Sequence, residues 1–383
     1  MVGAPVIGLV AGEASGDLLG AHLVEALKTR RPDLQFSGIA GPRMIAAGVT
    51  TLYPMEKLAV RGYVEVLKHY REIVAIRRRL KQHFLAQPPA MFIGIDAPDF
   101  NLDLELALKQ VRIPTIHYVS PSIWAWRGER IHKIKQAVDR VLTLFPFESD
   151  IYHKADIPVS YVGHPLADML HAYPSQSEIR ARLKMPQDGV VVALLPGSRI
   201  SELRSMADLF VATARRIAAK MPGVKFVVPL VNADTRTLFQ SAVARAGGME
   251  LLMLDGHSHD AIVASDVVLV ASGTATLETA LLQRPMVITY RMPRVSWWMM
   301  NPRRYQPYVG LPNILAGEFV VPEFLQDAAT PDHLAQAVLD LLHDAPRREH
   351  IRQRFAGMLT ELRQNTSQKA ADAVMPYLEK RAP

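Results

Sequence analysis

Two turns in the second half of the sequence have residue types that suit phosphate binding. Each follows a short apolar run and precedes a stretch with helical spacing, at residues 195–199 (LPGSR) and 271–278 (ASGTATLE). Backbone N–H groups at a helix start attract anions, and a guanidinium can bind a phosphate through two nitrogens. Ser198 and Arg199 would do this in the first turn. The candidates in the second turn are Ser272, Gly273 and Thr274.

A carboxylate, that of Glu278, follows the second of these turns by about one helical turn. At that position it could reach a ribose diol. The alternative for both turns is structural, with Arg199 merely exposed, Ser272 or Thr274 capping a helix, and Glu278 solvated. Two phosphate turns in one half of the chain favour a nucleotide over a lone phosphate.

The first half of the sequence has a carboxylate at the end of another apolar run. Asp96 closes that run within residues 94–101 (GIDAPDFN) and could act as a general base towards a hydroxyl. Pro98 disfavours helix at the preceding residue and predicts an extended corner that directs the Asp96 carboxylate outward. Alternatively, Asp96 or Asp99 is only a helix cap or a turn former.

A glycine-containing turn follows the first apolar run of the chain. Ser15, Gly16 and Asp17 lie in it, directly before a stretch with leucines at helical spacing. The glycine spacing does not match G-x-G-x-x-G, which argues against a dinucleotide site. The turn is either a ligand loop or a tight strand-to-helix connection capped by Ser15 or Asp17.

The elements that must position these residues follow from the apolar pattern. Short Val/Ile-rich runs without polar alternation indicate strands of parallel sheets covered on both faces, and amphipathic stretches between them indicate helices. The runs form two clusters, separated by a polar, proline-containing stretch near residues 168–177. We therefore predict an α/β fold of two Rossmann-like, doubly wound parallel-sheet domains, residues 1–170 and 171–383, facing a central cleft.

Composition narrows the classes of function. The chain has 383 residues, of which 49% are hydrophobic and 21% charged, with a net charge of +7. It contains no cysteine, which excludes disulfides, thiolate metal sites and cysteine nucleophiles. Its histidines have no metal-ligand spacing, so we expect no metal site. The positive charge suits anionic partners, but no nucleic-acid-binding motif supports that class of partner.

Membrane contact is predicted at the surface only. No stretch reaches the roughly 18 apolar residues of a spanning helix, so we expect a soluble or peripheral protein. A basic amphipathic helix begins at Val64 and ends at Leu80. Such a helix either lies on an anionic membrane or packs its apolar face on the sheet, and packing is the more usual outcome.

Eight motifs are spread along most of the chain. In the first half they are residues 9–20 (LVAGEASGDLLG), 40–44 (AGPRM), 94–101 (GIDAPDFN) and 117–127 (HYVSPSIWAWR). In the second half they are residues 194–199 (LLPGSR), 228–232 (VPLVN), 271–278 (ASGTATLE) and 311–317 (LPNILAG). Together these motifs resemble the lipid-A-disaccharide synthase family of bacterial glycosyltransferases.

The resemblance implies a GT-B fold and a specific reaction. The donor would be UDP-2,3-diacylglucosamine and the acceptor 2,3-diacylglucosamine 1-phosphate (lipid X). The products would be UDP and the β-1,6-linked lipid A disaccharide 1-phosphate, formed with inversion at the anomeric carbon and without a metal or cofactor. The resemblance also implies peripheral attachment to the cytoplasmic face of the inner membrane through the helix from Val64 to Leu80, and, more weakly, a homodimer.

The resemblance assigns roles to the candidate residues. Asp96 becomes the general base, with Asp99 as the alternative, and Arg199 stabilises the leaving pyrophosphate. Residues that would bind UDP or line the cleft are Ser15, Gly16, Asp17, Ser198, Ser272, Gly273, Thr274, Glu278 and Asn313. Arg204 departs from the pattern, because an apolar residue is expected there.

Two rival functions remain open on the sequence. Another GT-B enzyme that uses UDP-sugars, such as a peptidoglycan N-acetylglucosaminyltransferase or a UDP-sugar 2-epimerase, would share the nucleotide site. A non-enzymatic carrier of nucleotide sugars or anionic lipids would bind the donor and release no UDP.

Overall fold

A computed structural model describes residues 4–58, 63–125, 127–292 and 305–379. The chain forms two compact units. The first unit, here the first domain, contains Met1–Asp168 and Leu362–Pro383, and the second domain is Met169–Glu361. The predicted division at residue 170 lies close to the observed one. The last 22 residues were predicted in the second domain, whereas the structure assigns them to the first.

The first domain is built on a seven-stranded, fully parallel sheet. Its strands are β1 (Val6–Ala11), β2 (Gln35–Ala40), β3 (Val49–Pro54), β4 (Met91–Ile95), β5 (Thr115–Tyr118), β6 (Arg140–Thr143) and β7 (Val159–Tyr161). They lie in the order β3-β2-β1-β4-β5-β6-β7. The order reverses direction between β1 and β4, which is where doubly wound sheets bind ligands.

Helices cover this sheet. They are α1 (Ala14–Arg30), α2 (Pro42–Ala46), α3 (Tyr63–Ala86), α4 (Pro98–Lys109), α5 (Arg130–Ala137), α6 (Pro146–Lys154) and α7 (Pro165–Leu170), which reaches into the second domain. Residues of β1 and β4 are almost entirely buried because helices pack on both faces. Full burial explains why these strands are continuous apolar runs in the sequence.

The second domain repeats the design with a six-stranded parallel sheet. Its strands are β8 (Val191–Leu195), β9 (Lys225–Leu230), β10 (Leu252–Asp255), β11 (Val267–Ala271), β12 (Met286–Tyr290) and β13 (Glu323–Leu325), in the order β10-β9-β8-β11-β12-β13. Every residue of β8 and β11 is buried, and the order reverses between these two strands. The predicted fold class of two doubly wound parallel sheets is confirmed.

The helices of the second domain connect these strands and continue beyond them. They are α8 (Gln176–Arg182), α9 (Ile200–Lys220), α10 (Ala233–Arg245), α11 (Ser258–Ala264), α12 (Thr274–Leu281), α13 (Leu311–Ala316), α14 (Pro331–His343) and α15 (Ala345–Leu362). α16 (Thr366–Glu379) follows in the first domain. Two short 3₁₀ helices lie at Met55–Lys57 and Gln326–Ala328.

The return of the chain to the first domain has a clear physical cause. Ala370, Ala371 and Val374 of α16 are completely buried in the core of the first domain. The Asp168 carboxylate accepts hydrogen bonds from two backbone N–H groups at the start of this helix, those of Asn365 (3.0 Å) and Thr366 (2.7 Å). This capping and the apolar burial outweigh the length of chain between the two segments.

The predicted basic helix lies within α3, and its C-terminal half packs on the sheet. Ile76, Leu80 and Phe84 are buried at helical spacing, while Arg78 and Arg79 are exposed. The side chains of residues 63–69 lie outside the described residues. In the described part of the chain, no helix is both long enough and apolar enough to cross a bilayer.

Candidate active site

A cavity of about 360 Å³ lies at the carboxyl edge of the second sheet, between the ends of β8 and β11. Its size is in the range of small-ligand sites. Residues predicted from the sequence that line it are Ser198, Arg199, Ser272, Gly273, Thr274 and Glu278. The fold therefore brings together, in one cavity, two turns that are about 70 residues apart in the sequence, because β8 and β11 pair side by side.

The backbone of both turns depends on glycine. Gly197 has φ +116° and Gly273 has φ +151°, conformations that residues with a Cβ rarely adopt. After Gly197 the chain enters α9, and after Gly273 it enters α12. Each turn therefore presents the first N–H groups of a helix at the cavity, where they favour an anion.

A carboxylate of the chain itself accepts hydrogen bonds from the donors of the first turn. Glu202 accepts hydrogen bonds from the backbone N–H groups of Ser198 (3.1 Å) and Arg199 (3.3 Å). Its other oxygen lies 3.0 Å from Nη1 of Arg199. Sequence analysis missed Glu202, although a glutamate three residues after a helix start is a recognised capping signal. These contacts show that the turn binds a negatively charged oxygen.

Tyr290 is a second lining residue that sequence analysis missed. It ends β12 and borders the same cavity. Burial raises its pKa, and the nearby Glu202 carboxylate raises it further. The phenol therefore keeps its proton and can donate a hydrogen bond to a ligand. Nothing but its place at a strand end marked it in the sequence.

The first domain holds Asp96 at the equivalent edge, next to the point where its strand order reverses. Asp96 follows β4, and its half-buried carboxylate makes no hydrogen bond or ion pair within the described residues. Its backbone is held by Tyr118, whose carbonyl accepts from the Asp96 N–H at 2.8 Å, and by Asn101, whose side-chain amide donates to the Asp96 carbonyl at 2.8 Å. The backbone of Asp96 is therefore held in place, while its carboxylate oxygens have no partner among the described residues.

The corner at Asp96 differs from the predicted one. Asp96 and Ala97 both have positive φ, +53° and +44°, so the corner is left-handed and not extended. Pro98 does exclude right-handed helix at Ala97, but the chain takes the left-handed alternative because Pro98 starts α4 immediately afterwards. Left-handed residues other than glycine cost about 1 kcal/mol or more each, and such strain is concentrated at functional sites.

Comparison with known proteins identifies the family. Residues 7–375 match the family model described as lipid-A-disaccharide synthetase. A lipid-A-disaccharide synthase of Methylobacillus flagellatus is 55% identical over 98% of this chain and 100% of its own length. One from Dechloromonas aromatica is 54% identical over 97% of this chain and 98% of its own. The chain belongs to the lipid-A-disaccharide synthetase family. The predicted resemblance and the predicted enzyme class, a glycosyltransferase, are confirmed.

Solved structures of distant proteins confirm the fold. The UDP-GlcNAc 2-epimerase of Neisseria meningitidis bound to UDP-GlcNAc gives a TM-score of 0.62 at 12% identity, over 98% of this chain and 99% of that one. A calicheamicin glycosyltransferase gives 0.62 at 14% identity, over 99% of both chains. The two-domain GT-B architecture is therefore shared across enzymes of different activity, and the family is decided by sequence.

Asp99, the other carboxylate of the GIDAPDFN motif, is in a different setting from Asp96. Asp99 is 82% exposed and forms an ion pair with Arg130, while Arg127 lies 3.9 Å away. Its carboxylate is thus partly neutralised by two arginines, whereas Asp96 has no such partner in the described chain. The geometry favours Asp96 over Asp99 as an open carboxylate.

Asp17, which the resemblance assigns to the cleft, makes hydrogen bonds within the first domain. Its buried carboxylate accepts hydrogen bonds from the backbone N–H groups of Arg43 and Met44, each at 3.0 Å, and so caps α2. Ser15 is exposed in the first turn of α1, and Gly16 is buried against β1 and β4. The two family motifs at residues 9–20 and 40–44 therefore meet through Asp17.

Asn313 also has a structural place. It is fully buried; its amide donates to the Val321 carbonyl and to Glu323, both at 2.8 Å, and its oxygen accepts from the Val321 N–H. It is not among the residues that line the cavity, and its position near a nucleotide stays a prediction. Glu323 in turn accepts from the Val309 N–H, and the Val309 carbonyl accepts from the Ser272 hydroxyl. Asn313 thus supports the loop beside the cavity.

The motif at residues 117–127 is anchored by a buried acid. Glu148 accepts from Nε1 of Trp124 and from the backbone N–H of Phe145, both at 3.1 Å. Burial raises the pKa of Glu148 to about 7. His164 stacks on the Phe145 ring nearby, and burial lowers its pKa to about 4. Trp126, the other tryptophan of the motif, lies outside the described residues.

A second buried acid lies beneath Asp96. Glu105 and His117 are both fully buried, and Nδ1 of His117 is 2.8 Å from Oε1 of Glu105. Burial raises the pKa of Glu105. This pair supports α4 against β5 and is not exposed to a ligand. Among the described residues, no cluster of three or more histidine or acidic side chains has the geometry to hold a metal ion.

Proposed function

We propose that the protein is a lipid A disaccharide synthase acting on acylated sugars. The donor is UDP-2,3-diacylglucosamine, the acceptor is 2,3-diacylglucosamine 1-phosphate, and the products are the β-1,6-linked disaccharide 1-phosphate and UDP. The main support for the proposal is that both phosphate-type turns line one cavity, in a chain that belongs to this family.

The second domain would bind the UDP part of the donor. The N–H groups of the two turns and the guanidinium of Arg199 are suited to a pyrophosphate. In the first turn, the N–H groups of Ser198 and Arg199 and the Arg199 guanidinium already contact the Glu202 carboxylate. Ser272 and Thr274 add hydroxyl groups, and Glu278 adds a carboxylate for the ribose. As the sugar–phosphate bond breaks, negative charge grows on the leaving diphosphate, and Arg199 would stabilise that charge.

The first domain would supply the general base. Asp96 accepts the proton of the acceptor 6-hydroxyl while that oxygen attacks the anomeric carbon of the donor, and the bond to UDP breaks on the opposite face. A single displacement of this kind inverts the anomeric configuration. The held backbone and open carboxylate of Asp96 support this role.

The acylated substrates imply work at a membrane surface. We propose peripheral attachment to the cytoplasmic face of the inner membrane through α3, whose described basic residues Arg78, Arg79 and Lys81 are exposed. Anionic lipids attract such residues electrostatically. Binding to anionic vesicles but not to neutral ones, and its loss in R78E/R79E, would test this.

We also propose that the protein forms the homodimer that the family resemblance implies. Sedimentation in detergent would test this proposal.

The deciding experiment measures UDP release in detergent with EDTA present. UDP-2,3-diacylglucosamine with lipid X is one reaction, and UDP-GlcNAc is the parallel donor. The proposal predicts turnover with the acylated donor alone, in the absence of free divalent metal. Turnover with UDP-GlcNAc instead would assign the chain to another UDP-sugar reaction, and tight donor binding without UDP release would assign it to a carrier.

A further inference from the structure

The carboxylate of Glu278 is held from outside the cavity that it lines. Glu278 belongs to α12, and its Oε2 lies 3.0 Å from Nε2 of His259, which belongs to α11. His259 does not line the cavity. Within the described residues Oε1 of Glu278 makes no hydrogen bond. One oxygen of the carboxylate is thus engaged behind the site and the other is available to a ligand.

The ring of His259 is itself supported. Tyr173 packs edge-on against it, with ring centroids 5.7 Å apart and an interplanar angle of 86°. The Tyr173 hydroxyl donates to the buried carboxylate of Asp260 at 2.6 Å. Asp260 also forms an ion pair with Arg182 of α8. These contacts support His259, whose side chain is 28% exposed, between α11, α12 and the loop that carries Tyr173.

We propose that His259 is a positioning residue that orients the Glu278 carboxylate for the ribose hydroxyls of a uridine diphosphate. This rests on the proposed function, which assigns the ribose to Glu278. A free glutamate side chain samples several rotamers, and binding a diol would require it to lose them. An imidazole that donates from Nε2 holds Oε2 in advance and leaves Oε1 to accept from a hydroxyl. Affinity for the ribose is then gained through a residue that does not contact the ligand.

The test compares UDP with 2′,3′-dideoxy-UDP by calorimetric titration. The wild-type protein should prefer UDP because only UDP can donate hydroxyl hydrogens to Glu278. E278A should lose that preference. H259F keeps a ring against Tyr173 but has no donor, and it should bind UDP about five- to tenfold more weakly while binding the dideoxy ligand unchanged. H259Q retains a donor and should recover most of the lost affinity.

A matched control lies two residues away. His257 starts the same helix and contacts Asp260, but it has no hydrogen bond to Glu278. H257N should bind both ligands like the wild type. A merely structural role of His259 predicts equal weakening of both ligands in H259F, and that result would overturn the inference, as would unchanged UDP binding.

Failure of the inference is distinguishable from failure of the proposed function. If the wild type discriminates the two ligands through Glu278 and H259F behaves like the wild type, only the positioning role is lost. If the wild type binds no UDP, or binds UDP without catalysing transfer to the acylated acceptor, the proposed function is lost.

Discussion

The two domains use the same position in the same kind of sheet in opposite ways. In the second domain, the reversal between β8 and β11 opens a cavity lined by N–H groups, hydroxyls and Arg199. In the first domain, the reversal between β1 and β4 is filled with internal hydrogen bonds, including those of Asp17 and Asn101, and leaves the Asp96 carboxylate open.

The proposed function gives this difference a reason. A diphosphate needs several donors at once, and the second edge has them near the surface, where Glu202 accepts hydrogen bonds from two of them. A general base needs one carboxylate in a fixed place, and hydrogen bonds at the first edge hold the backbone of Asp96. The same architecture therefore supplies a binding surface in one domain and a positioned single group in the other.

The largest expected effect comes from a substitution of Asp96, the proposed general base of the first domain. D96N removes the proton acceptor and should lower turnover by about a thousandfold or more, with UDP affinity unchanged because UDP is assigned to the other domain. Steady-state kinetics and UDP titration measure the two quantities. D99N, the control in the same motif, should change turnover by less than about threefold because its exposed ion pair contributes little. Near-normal turnover in D96N would refute the base assignment.

The second effect tests the binding edge. R199A should lower kcat/KM by about a hundred- to a thousandfold and should also weaken UDP binding, because the guanidinium meets both the bound and the departing diphosphate. Arg204 lies exposed on the same helix and does not line the cavity, so R204A is the matched control and should be close to wild type. A normal UDP affinity in R199A would contradict this account of the edge.

The third effect tests whether Asp17 is structural. D17A leaves the buried N–H group of Met44 and the partly buried N–H group of Arg43 without their acceptor. It should destabilise the first domain by about 1–3 kcal/mol, with UDP affinity preserved. Urea unfolding gives the stability. D33A removes a surface carboxylate paired with Arg31 and should leave the stability close to that of the wild type. If D17A instead keeps full stability and loses acceptor binding, the carboxylate belongs to the ligand site.

The smallest effect concerns Glu148, a buried acid of the first domain. The pKa of Glu148 is about 7 in the folded protein and near 4.5 unfolded, so between these values the folded state holds a proton that the unfolded chain lacks. Its contribution to stability therefore falls as the pH rises from 4.5 to 7. E148Q does not titrate, so its stability relative to wild type should rise by about 1–3 kcal/mol between pH 5 and pH 8.

Another buried group must be separated from this effect. The pKa of His164 is about 4 in the folded state against 6.5 unfolded, so its contribution to stability rises with pH between those values. It is present in both proteins and cancels in the difference between them. Unfolding curves of wild type and E148Q at several pH values measure that difference, and a constant difference across pH would show that Glu148 has an ordinary pKa.

Apolar runs in the sequence coincide with eleven of the thirteen strands in the described residues, and these include the edge strands β7 and β10. The bounds of β4, β9 and β12 are the same as those of the runs at residues 91–95, 225–230 and 286–290. The edge strands β3 and β13 were missed, because they carry no continuous apolar run. β3 has several exposed residues, and β13 is three residues long.

By itself the sequence determined the fold class, the family and the two phosphate-type turns, because these depend on local chemistry: apolar runs, glycines before helices and an arginine at a helix start. Only the tertiary structure decided which candidates share a site. Asp17 and Asn313 have the same residue types as ligand contacts, but their partners, Met44 and Val321, come from other elements of the fold. Glu202 and His259 show the converse, since their importance comes from what packing places beside them. A polar side chain either forms hydrogen bonds within the protein or is available to a ligand, depending on which groups lie beside it. Those groups come together only when the chain folds.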